Sequence, residues 1–312
     1  MMAYLATAQK KRRGLLISSL FSIIFLLTIV QSGKAQGDAF LQPSGEGEAW
    51  FSVSWTSTRN YYNTEGTTRI FDSVRTTFTN FTLGLSADYG LLDDLELNLE
   101  LPIGYYTLTS GSRFPDRSIF APAWLGVGVT YGRNFGGVRG AVSSLVRIPP
   151  GFHDGIYDDP NHPTFLSDGY FQLLNSLHIA YSGDEFWVKG SVGYNMRGEE
   201  PVDEIVYSAE AGVARVKGTG VFIGFAGVIA TEDPSQPLRP FYAGASADES
   251  LRQDGGIGRF ATIDRETNFR LRPGGFVKLN DHLSLSAQYQ VMLFGINTLN
   301  LNTFNIAGGW RF

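Results

Sequence analysis

The sequence predicts an all-β fold: a transmembrane antiparallel β-barrel of about twelve strands, with fourteen as the alternative and both termini in the periplasm. Three observations favour it. The last nine residues, F-N-I-A-G-G-W-R-F, alternate with a period of two, the chain begins with a secretory leader, and the rest divides into alternating segments with short and long connections. Because lipid offers no hydrogen bonds to the backbone, only helices and closed barrels cross it, and no apolar helix follows the leader.

The N-terminal residues have the pattern of a signal peptide. Lys10 to Arg13 form a basic region, Gly14 to Val30 form an apolar run, and small Gly33 and Ala35 precede a cleavage position. The alternative is a permanent membrane helix, since the run is just long enough to span a bilayer. We therefore expect residues 1–35 to be removed, 36–45 to form a short periplasmic segment, and 46–312 to form the barrel. The chain contains no Cys, which excludes disulfides and a lipoprotein anchor.

The charge balance argues against a nucleic-acid partner. Residues 1–35 hold five of the 25 basic residues and none of the 30 acidic ones, which leaves 20 against 30 and a net charge of −10. The mean hydropathy of −0.06 suits a barrel, because alternation along its strands hides the apolar residues from the average.

The clearest hairpin joins 80–89 to 95–105 through G-L-L-D-D. Its predicted outward residues are Phe81, Leu83, Leu85, Ala87, Tyr89, Leu95, Leu97, Leu99, Leu101, Ile103 and Tyr105. The predicted inward residues are Thr82, Gly84, Ser86, Asp88, Glu96, Asn98 and Glu100. Further strands are predicted at 46–62, 121–132, 137–149, 169–182, 185–197, 204–216, 220–231, 261–279, 282–295 and 300–312.

The connections set the predicted orientation. Short turns such as G-R-N-F-G-G, S-G-D-E and K-G-T-G alternate with longer loops at 108–120, 149–168 and 232–260, as periplasmic turns alternate with extracellular loops in such barrels. An additional hairpin within 232–260 would raise the strand number to fourteen.

Aromatic residues mark the predicted membrane interfaces. Tyr89, Tyr131, Tyr181, Phe186 and Phe312 lie outward beside the short turns or the terminus, and Tyr105, Tyr207 and Phe269 lie outward near the long loops. The alternative is a soluble sandwich with these rings in its core. Phe304, Trp310 and Phe312 of the last strand match the C-terminal assembly signal of outer-membrane barrels.

Charged residues at inward positions are the candidate site. The full set is Asp88, Glu96, Glu100, Arg139, Arg147, Lys189, Glu210, Arg270, Arg272, Lys278 and Arg311. We expect selectivity to depend on Glu100, Arg147, Lys189, Glu210, Arg270 and Arg272. Either these charges pair and fill a narrow lumen, since unpaired buried charge is costly, or they form a constriction whose field selects solutes. The arginines of 261–279 favour an acidic or polarisable solute at that wall.

Prolines indicate a second candidate feature. Pro102 and Pro122 flank the loop 108–120, and Pro273 interrupts 261–279. Each removes a ladder hydrogen bond or marks a bulge. Pro102 and Pro122 are therefore candidates for a lateral opening into the bilayer, with a harmless bulge as the alternative.

Three stretches carry a family resemblance: G-E-G-E-A-W, L-G-L-S-A-D-Y-G-L-L-D-D-L-E-L-N-L-E-L-P-I-G and the final strand. The chain resembles an outer-membrane family of channels associated with the meta pathway of phenol degradation, distantly similar to long-chain fatty-acid transporters. The resemblance implies passive passage of small hydrophobic or aromatic molecules and supplies no catalytic residues. The fatty-acid transporters carry a longer N-terminal plug than the ten residues that precede the first strand here.

Enzymatic and cofactor chemistry find no support. None of the four His residues lies in the H-x-S-N-G run of a barrel phospholipase. The loop 153–163 could bind a divalent cation or be an ordinary charged loop, and we expect no metal, no cofactor and no enzyme. The predicted function is a passive channel for small, hydrophobic or aromatic solutes in a Gram-negative outer membrane, with a plugged structural or surface-binding barrel as the alternative. The expected partners are outer-membrane lipid, the barrel-assembly machinery and the solute.

Overall fold

A computed structural model describes residues 40–62, 66–70, 77–109, 117–149, 171–198, 202–216, 218–232, 266–296 and 298–312. The leader, the cleavage position and the loop 153–163 lie outside these ranges, so the predictions made for them stay predictions. The described strands are β1 (Gly47–Thr58), β2 (Asn60–Tyr62), β3 (Thr68–Ile70), β4 (Thr77–Leu92), β5 (Leu95–Thr109), β6 (Arg117–Pro122), β7 (Leu125–Phe135), β8 (Val138–Ile148), β9 (Gln172–Ser182), β10 (Phe186–Arg197), β11 (Glu204–Val216), β12 (Thr219–Ala230), β13 (Thr267–Lys278), β14 (Leu283–Ile296), β15 (Thr298–Leu299) and β16 (Thr303–Arg311).

Twelve of these strands close into an antiparallel barrel. Each pairs with its neighbour along the chain, in the order β1, β4, β5, β7 to β14 and β16, and β16 returns to pair with β1 from Glu48↔Arg311 to Thr56↔Thr303. The predicted barrel of twelve strands is confirmed. The alternative of fourteen is wrong, because β12 pairs directly with β13 from Thr219↔Val277 to Val228↔Asn268 and leaves no place for a hairpin between them.

The predicted segments differ from the strands at the loop end of the barrel, where the long connections lie. Segment 46–62 contains a break between β1 and β2, and segment 300–312 becomes a strand only at Thr303. The short strands β2, β3 and β15 form a separate three-stranded sheet there. Segment 121–132 is also divided. Its first two residues belong to β6, which begins within the predicted loop 108–120 and extends the wall along β5, and β7 begins only at Leu125. A bulge at Ala123 and Trp124 separates the two, which periodicity alone does not reveal.

The turn end of the barrel has tight connections. Gly136 and Gly137, at φ 66° and 99°, form the turn between β7 and β8, a conformation that favours glycine. The turn between β4 and β5 shortens to Asp93 and Asp94, because Leu91 and Leu92 continue the strand.

The outer surface is apolar and the inner surface polar, as the alternation predicts. Along β7 the exposed side chains Leu125, Val127, Val129 and Tyr131 alternate with buried positions. The turn-end girdle is confirmed, since Tyr89, Tyr131, Tyr181, Phe186 and Phe312 are all exposed. At the loop end Tyr105 is exposed, and Phe269 stacks between Tyr207 and Phe225. Within the described ranges, no helix is long and apolar enough to cross a membrane.

Candidate functional site

Glu100 and Arg147 form an ion pair on the lumen side of β5 and β8. Arg147 Nε donates to Glu100 Oε1 at 2.6 Å, and the indole N–H of Trp124 donates to the same oxygen at 2.9 Å. The Arg147 guanidinium also lies over the Trp124 ring, 5.1 Å from its centre. Glu100 is only 9% exposed and lies against Gly126, where any larger residue would displace it. Three neighbouring strands therefore hold this carboxylate in place.

Lys189 and Glu210 form a second pair deeper in the lumen. Lys189 Nζ lies 3.3 Å from Glu210 Oε1, which also accepts a hydrogen bond of 3.1 Å from Trp187 Nε1. The registers Lys189↔Glu210, Glu210↔Gly224 and Gly224↔Arg272 place three charges in one hydrogen-bonded row across β10 to β13.

Arg270 and Arg272 face the lumen from β13 and differ in their partners. Arg270 Nη2 lies 3.0 Å from Glu266 Oε1, a residue just before the strand. Among the described residues, no carboxylate lies within 4 Å of Arg272. Its single recorded hydrogen bond is a long one of 3.5 Å to the carbonyl of Phe225. Five of the six predicted residues are thus ion-paired, and Arg272 is not.

Two cavities lie in the described part of the lumen. The loop-end cavity has a volume of about 310 Å³ and is lined by Arg147, His178, Arg270 and Arg272 together with apolar Leu145, Leu174, Val206 and Val228. The turn-end cavity, of about 420 Å³, is lined by Trp50, Trp187, Phe276, Lys189, Lys278 and Arg311, with residues of the N-terminal segment. The charged row that contains Lys189 and Arg272 contributes to both, so it lies between them.

Residues 40–43 lie inside the turn-end mouth of the barrel. Phe40 packs against the lumen-facing Ala141 and Ala180, and the Arg139 guanidinium lies 5.9 Å from the centre of its ring. Gln42 is 2% exposed: its backbone N–H donates to Glu96 Oε2 at 2.7 Å, and its side-chain amide donates to Glu48 at 3.3 Å. This short segment narrows the mouth. The sequence contained no periodic signal for it, because it is neither strand nor turn.

Buried polar residues line the wall around Gln42. Asn98 donates to Asp88 and to Glu96, both at 2.9 Å, and accepts from Thr130 at 2.7 Å. These predicted inward residues therefore form one hydrogen-bonded network, which anchors the N-terminal segment to β4, β5 and β7.

Pro102 and Pro122 meet at the bulge between β6 and β7. The Pro102 carbonyl accepts a hydrogen bond of 2.8 Å from Ala123, and ladder pairing continues on both sides, at Ile103↔Pro122 and Glu100↔Gly126. Pro122 is exposed on the outer surface. The wall is therefore interrupted at this bulge, and a lateral opening into the bilayer stays a prediction.

The three residues of the predicted assembly signal lie on or beside β16. Phe304 is exposed opposite Trp55 and Tyr289, and Trp310 stacks on His282 at 5.9 Å. Phe312 exchanges two backbone hydrogen bonds with Gly47, of 2.8 and 2.9 Å, which extend the β1–β16 seam.

Sequence reasoning missed several lumen residues. Trp187 and Glu266 lie an even number of residues from the predicted inward residues Lys189 and Arg270. The alternation therefore predicts that both face the lumen. Trp124 could not be predicted in this way, because the bulge reverses the alternation just before it. The pair of Arg197 with Glu204 was missed as well, although both residues close a short connection between adjacent strands.

No protein-family model matches the chain, and no curated protein matches it. Among solved structures, the COG4313 outer membrane channel from Pseudomonas putida F1 has a TM-score of 0.65 at 13% identity, covering 90% of this chain and 100% of that one. The NanC porin (TM-score 0.45, 7% identity, 83% of this chain and 98% of that one) and the CymD monoaromatic hydrocarbon channel (0.43, 10%, 87% and 89%) match more weakly. The chain therefore shares its fold with a solved outer-membrane channel.

Proposed function

We propose that this protein is a passive outer-membrane channel for small solutes, hydrophobic or aromatic in class. The observation that carries the proposal is the pair of lumen cavities, lined by both polar and apolar side chains, on the two sides of the charged row. A lumen filled by a packed core would contain no cavity of several hundred cubic ångströms. The ion pairs Glu100–Arg147 and Lys189–Glu210 keep the wall polar without leaving these charges uncompensated.

The fold and the resemblance support the same class of function. The structural match to an outer membrane channel covers nearly all of the barrel, and the sequence resemblance implies small hydrophobic or aromatic solutes. The described residues contain no group of three His, Asp or Glu arranged to hold a metal ion. Removal of the leader, recognition by the barrel-assembly machinery through Phe304, Trp310 and Phe312, and lateral release near Pro102 and Pro122 belong to this proposal.

A blocked barrel is the second candidate. The observation that favours it is the N-terminal segment, in which Phe40 and Gln42 occupy part of the turn-end mouth. In that case the lumen conducts nothing, and any binding takes place at the loops.

Ion currents through the purified protein in planar bilayers test the proposal. Wild type should conduct, and reversing both Arg270 and Arg272 to Glu should shift the preference from anions towards cations, since lumen substitutions tune selectivity without preventing assembly. Heat-modifiable migration on a gel shows that the variant folds. If the folded wild type does not conduct, the channel proposal is wrong and the blocked barrel is the better account.

A further inference from the structure

Arg272 is a lumen cation with no described carboxylate within 4 Å, and Glu210 of the same row pairs with Lys189 instead. The Arg272 Nε is buried and has no hydrogen-bond acceptor. The guanidinium lies beside Gly224, where a Cβ would be 3.5 Å from Nε, and among the described residues it donates only to the carbonyl of Phe225, at 3.5 Å. Glu210 pairs with Lys189 and Glu266 pairs with Arg270, so both of these carboxylates already have a cationic partner within 4 Å. Arg272 is partly exposed to the lumen, and leaving its buried Nε without an acceptor costs stability, so the residue is a candidate for binding a ligand.

The loop-end cavity beside Arg272 has two chemically different sides. Arg270 and Arg272 lie on β13, while Leu145 and Leu174 line the cavity from β8 and β9. Val206 and Val228 extend the apolar side. The volume of about 310 Å³ is at the lower end of the range for small-molecule sites. Such a cavity suits a compact ligand with one anionic group and an apolar body.

We propose that the loop-end cavity is a binding site for a small amphipathic carboxylate, such as an aromatic acid, whose carboxylate is bound by Arg272 and whose apolar body lies against Leu145, Leu174 and Val206. This inference rests on the proposed channel function and narrows its solute class.

The chemistry of the guanidinium explains the choice of anion. Arg presents a planar fork of donors that matches a carboxylate with two parallel hydrogen bonds, and charge-assisted bonds of this kind are about twice as strong as neutral ones. Ser143, bonded to His178 at 2.8 Å, and Ser208, bonded to Ser191 at 2.7 Å, surround the cavity with neutral hydroxyl groups. Among the described residues that line the cavity there is no Asp or Glu, and the lining residues Arg147 and Arg270 are each paired with a carboxylate, Glu100 and Glu266. The cavity therefore retains the net positive charge of Arg272.

Block of the ion current by benzoate tests the site. Benzoate, at a pH where it is ionised, should reduce the wild-type conductance in a saturable manner. Benzamide has the same ring without the charge, and acetate has the charge without the ring, so both should require higher concentrations. Arg272→Gln should raise the half-blocking concentration of benzoate by about tenfold or more, the effect of losing a charged hydrogen bond. It should leave that of benzamide unchanged. Arg272→Lys keeps the charge but loses the planar fork of donors. Its half-blocking concentration of benzoate should lie between those of wild type and Arg272→Gln.

Lys278→Gln is the matched control, because Lys278 faces the lumen from the same strand but lines the turn-end cavity. It removes the same charge and should leave the block by benzoate within about twofold of wild type, since a screened charge one cavity away contributes little. Equal block by benzoate and benzamide in a conducting wild type would overturn the carboxylate site and leave the channel function intact. Equal block by benzoate and acetate would overturn the apolar part of the site.

A second measurement is independent of conductance. Equilibrium dialysis of radiolabelled benzoate against the detergent-solubilised protein should show saturable binding that Arg272→Gln abolishes. If the wild type conducts nothing but still binds benzoate through Arg272, the channel function fails and the binding site stands. If the folded wild type does not bind benzoate, the site is wrong whatever the conductance.

Discussion

Individual charges in this lumen are stabilised by specific neighbours rather than by solvent alone. Glu100 and Glu210 each accept one hydrogen bond from a tryptophan indole and lie beside one cation. Removing one partner of such a pair leaves the other uncompensated in a restricted space, which is costly. The pairs therefore set both the local stability and the field that a passing solute meets.

Glu100→Gln tests this at one residue. Gln keeps an acceptor for Trp124 but no longer neutralises Arg147, so the lumen gains a net positive charge. We expect the reversal potential in a salt gradient to shift towards anion selectivity, and the free energy of unfolding to fall by about 1–3 kcal/mol. Asp184→Asn, in the exposed turn between β9 and β10, makes the same charge change outside the lumen and should alter neither quantity. Identical reversal potentials for Glu100→Gln and wild type would contradict the role of Glu100 in the ion selectivity of the lumen.

The inward direction of Glu100, Lys189 and Arg270 followed from the sequence, because a period of two fixes the side on which every residue of a strand lies. Their ion-pair partners could not be predicted from the sequence. Pairing across strands depends on the stagger of neighbouring strands, and Glu266 lies outside the regular strand. Trp124 was hidden by a bulge that one extra residue creates.

At the scale of elements, strand existence was predictable and strand ends were not. The centres of all twelve barrel strands were predicted, since each alternates over many residues. The ends failed where the chain leaves the membrane wall, at β2, β3, β6 and β15, because outside lipid the requirement for alternation disappears. The N-terminal segment was unpredictable for a related reason: its place depends on tertiary contacts, such as those of Phe40 and Gln42, and not on a periodic pattern.

That segment should limit the current through the barrel. Replacing both Phe40 and Gln42 with Ala removes the ring packed on Ala141 and the amide bonded to Glu48, so the segment should leave the mouth more often. We expect a higher single-channel conductance in planar bilayers. Ser44→Ala, at an exposed position of the same segment, is the control and should conduct like wild type. Equal conductance of all three proteins would show that the segment does not narrow the route.

The whole molecule is a closed wall with an apolar outer face and a polar, partly hollow interior. Closure of β16 on β1 leaves the twelve described barrel strands without a free edge, which lipid requires. The fold class was predictable from the sequence because every barrel strand alternates between apolar outward residues and polar inward residues. The sequence did not predict whether the interior is open, since this depends on how the side chains of facing strands pack across the lumen.

Swelling of proteoliposomes in a neutral aromatic solute tests the central claim, passive passage through the barrel, most directly. Phenyl glucoside suits this purpose because it carries an aromatic ring and does not cross lipid by itself. The account predicts that vesicles containing the folded protein swell faster than protein-free vesicles, at a rate proportional to the gradient and without any energy source. Swelling no faster than that of protein-free vesicles, with protein that migrates as a folded barrel, would contradict it.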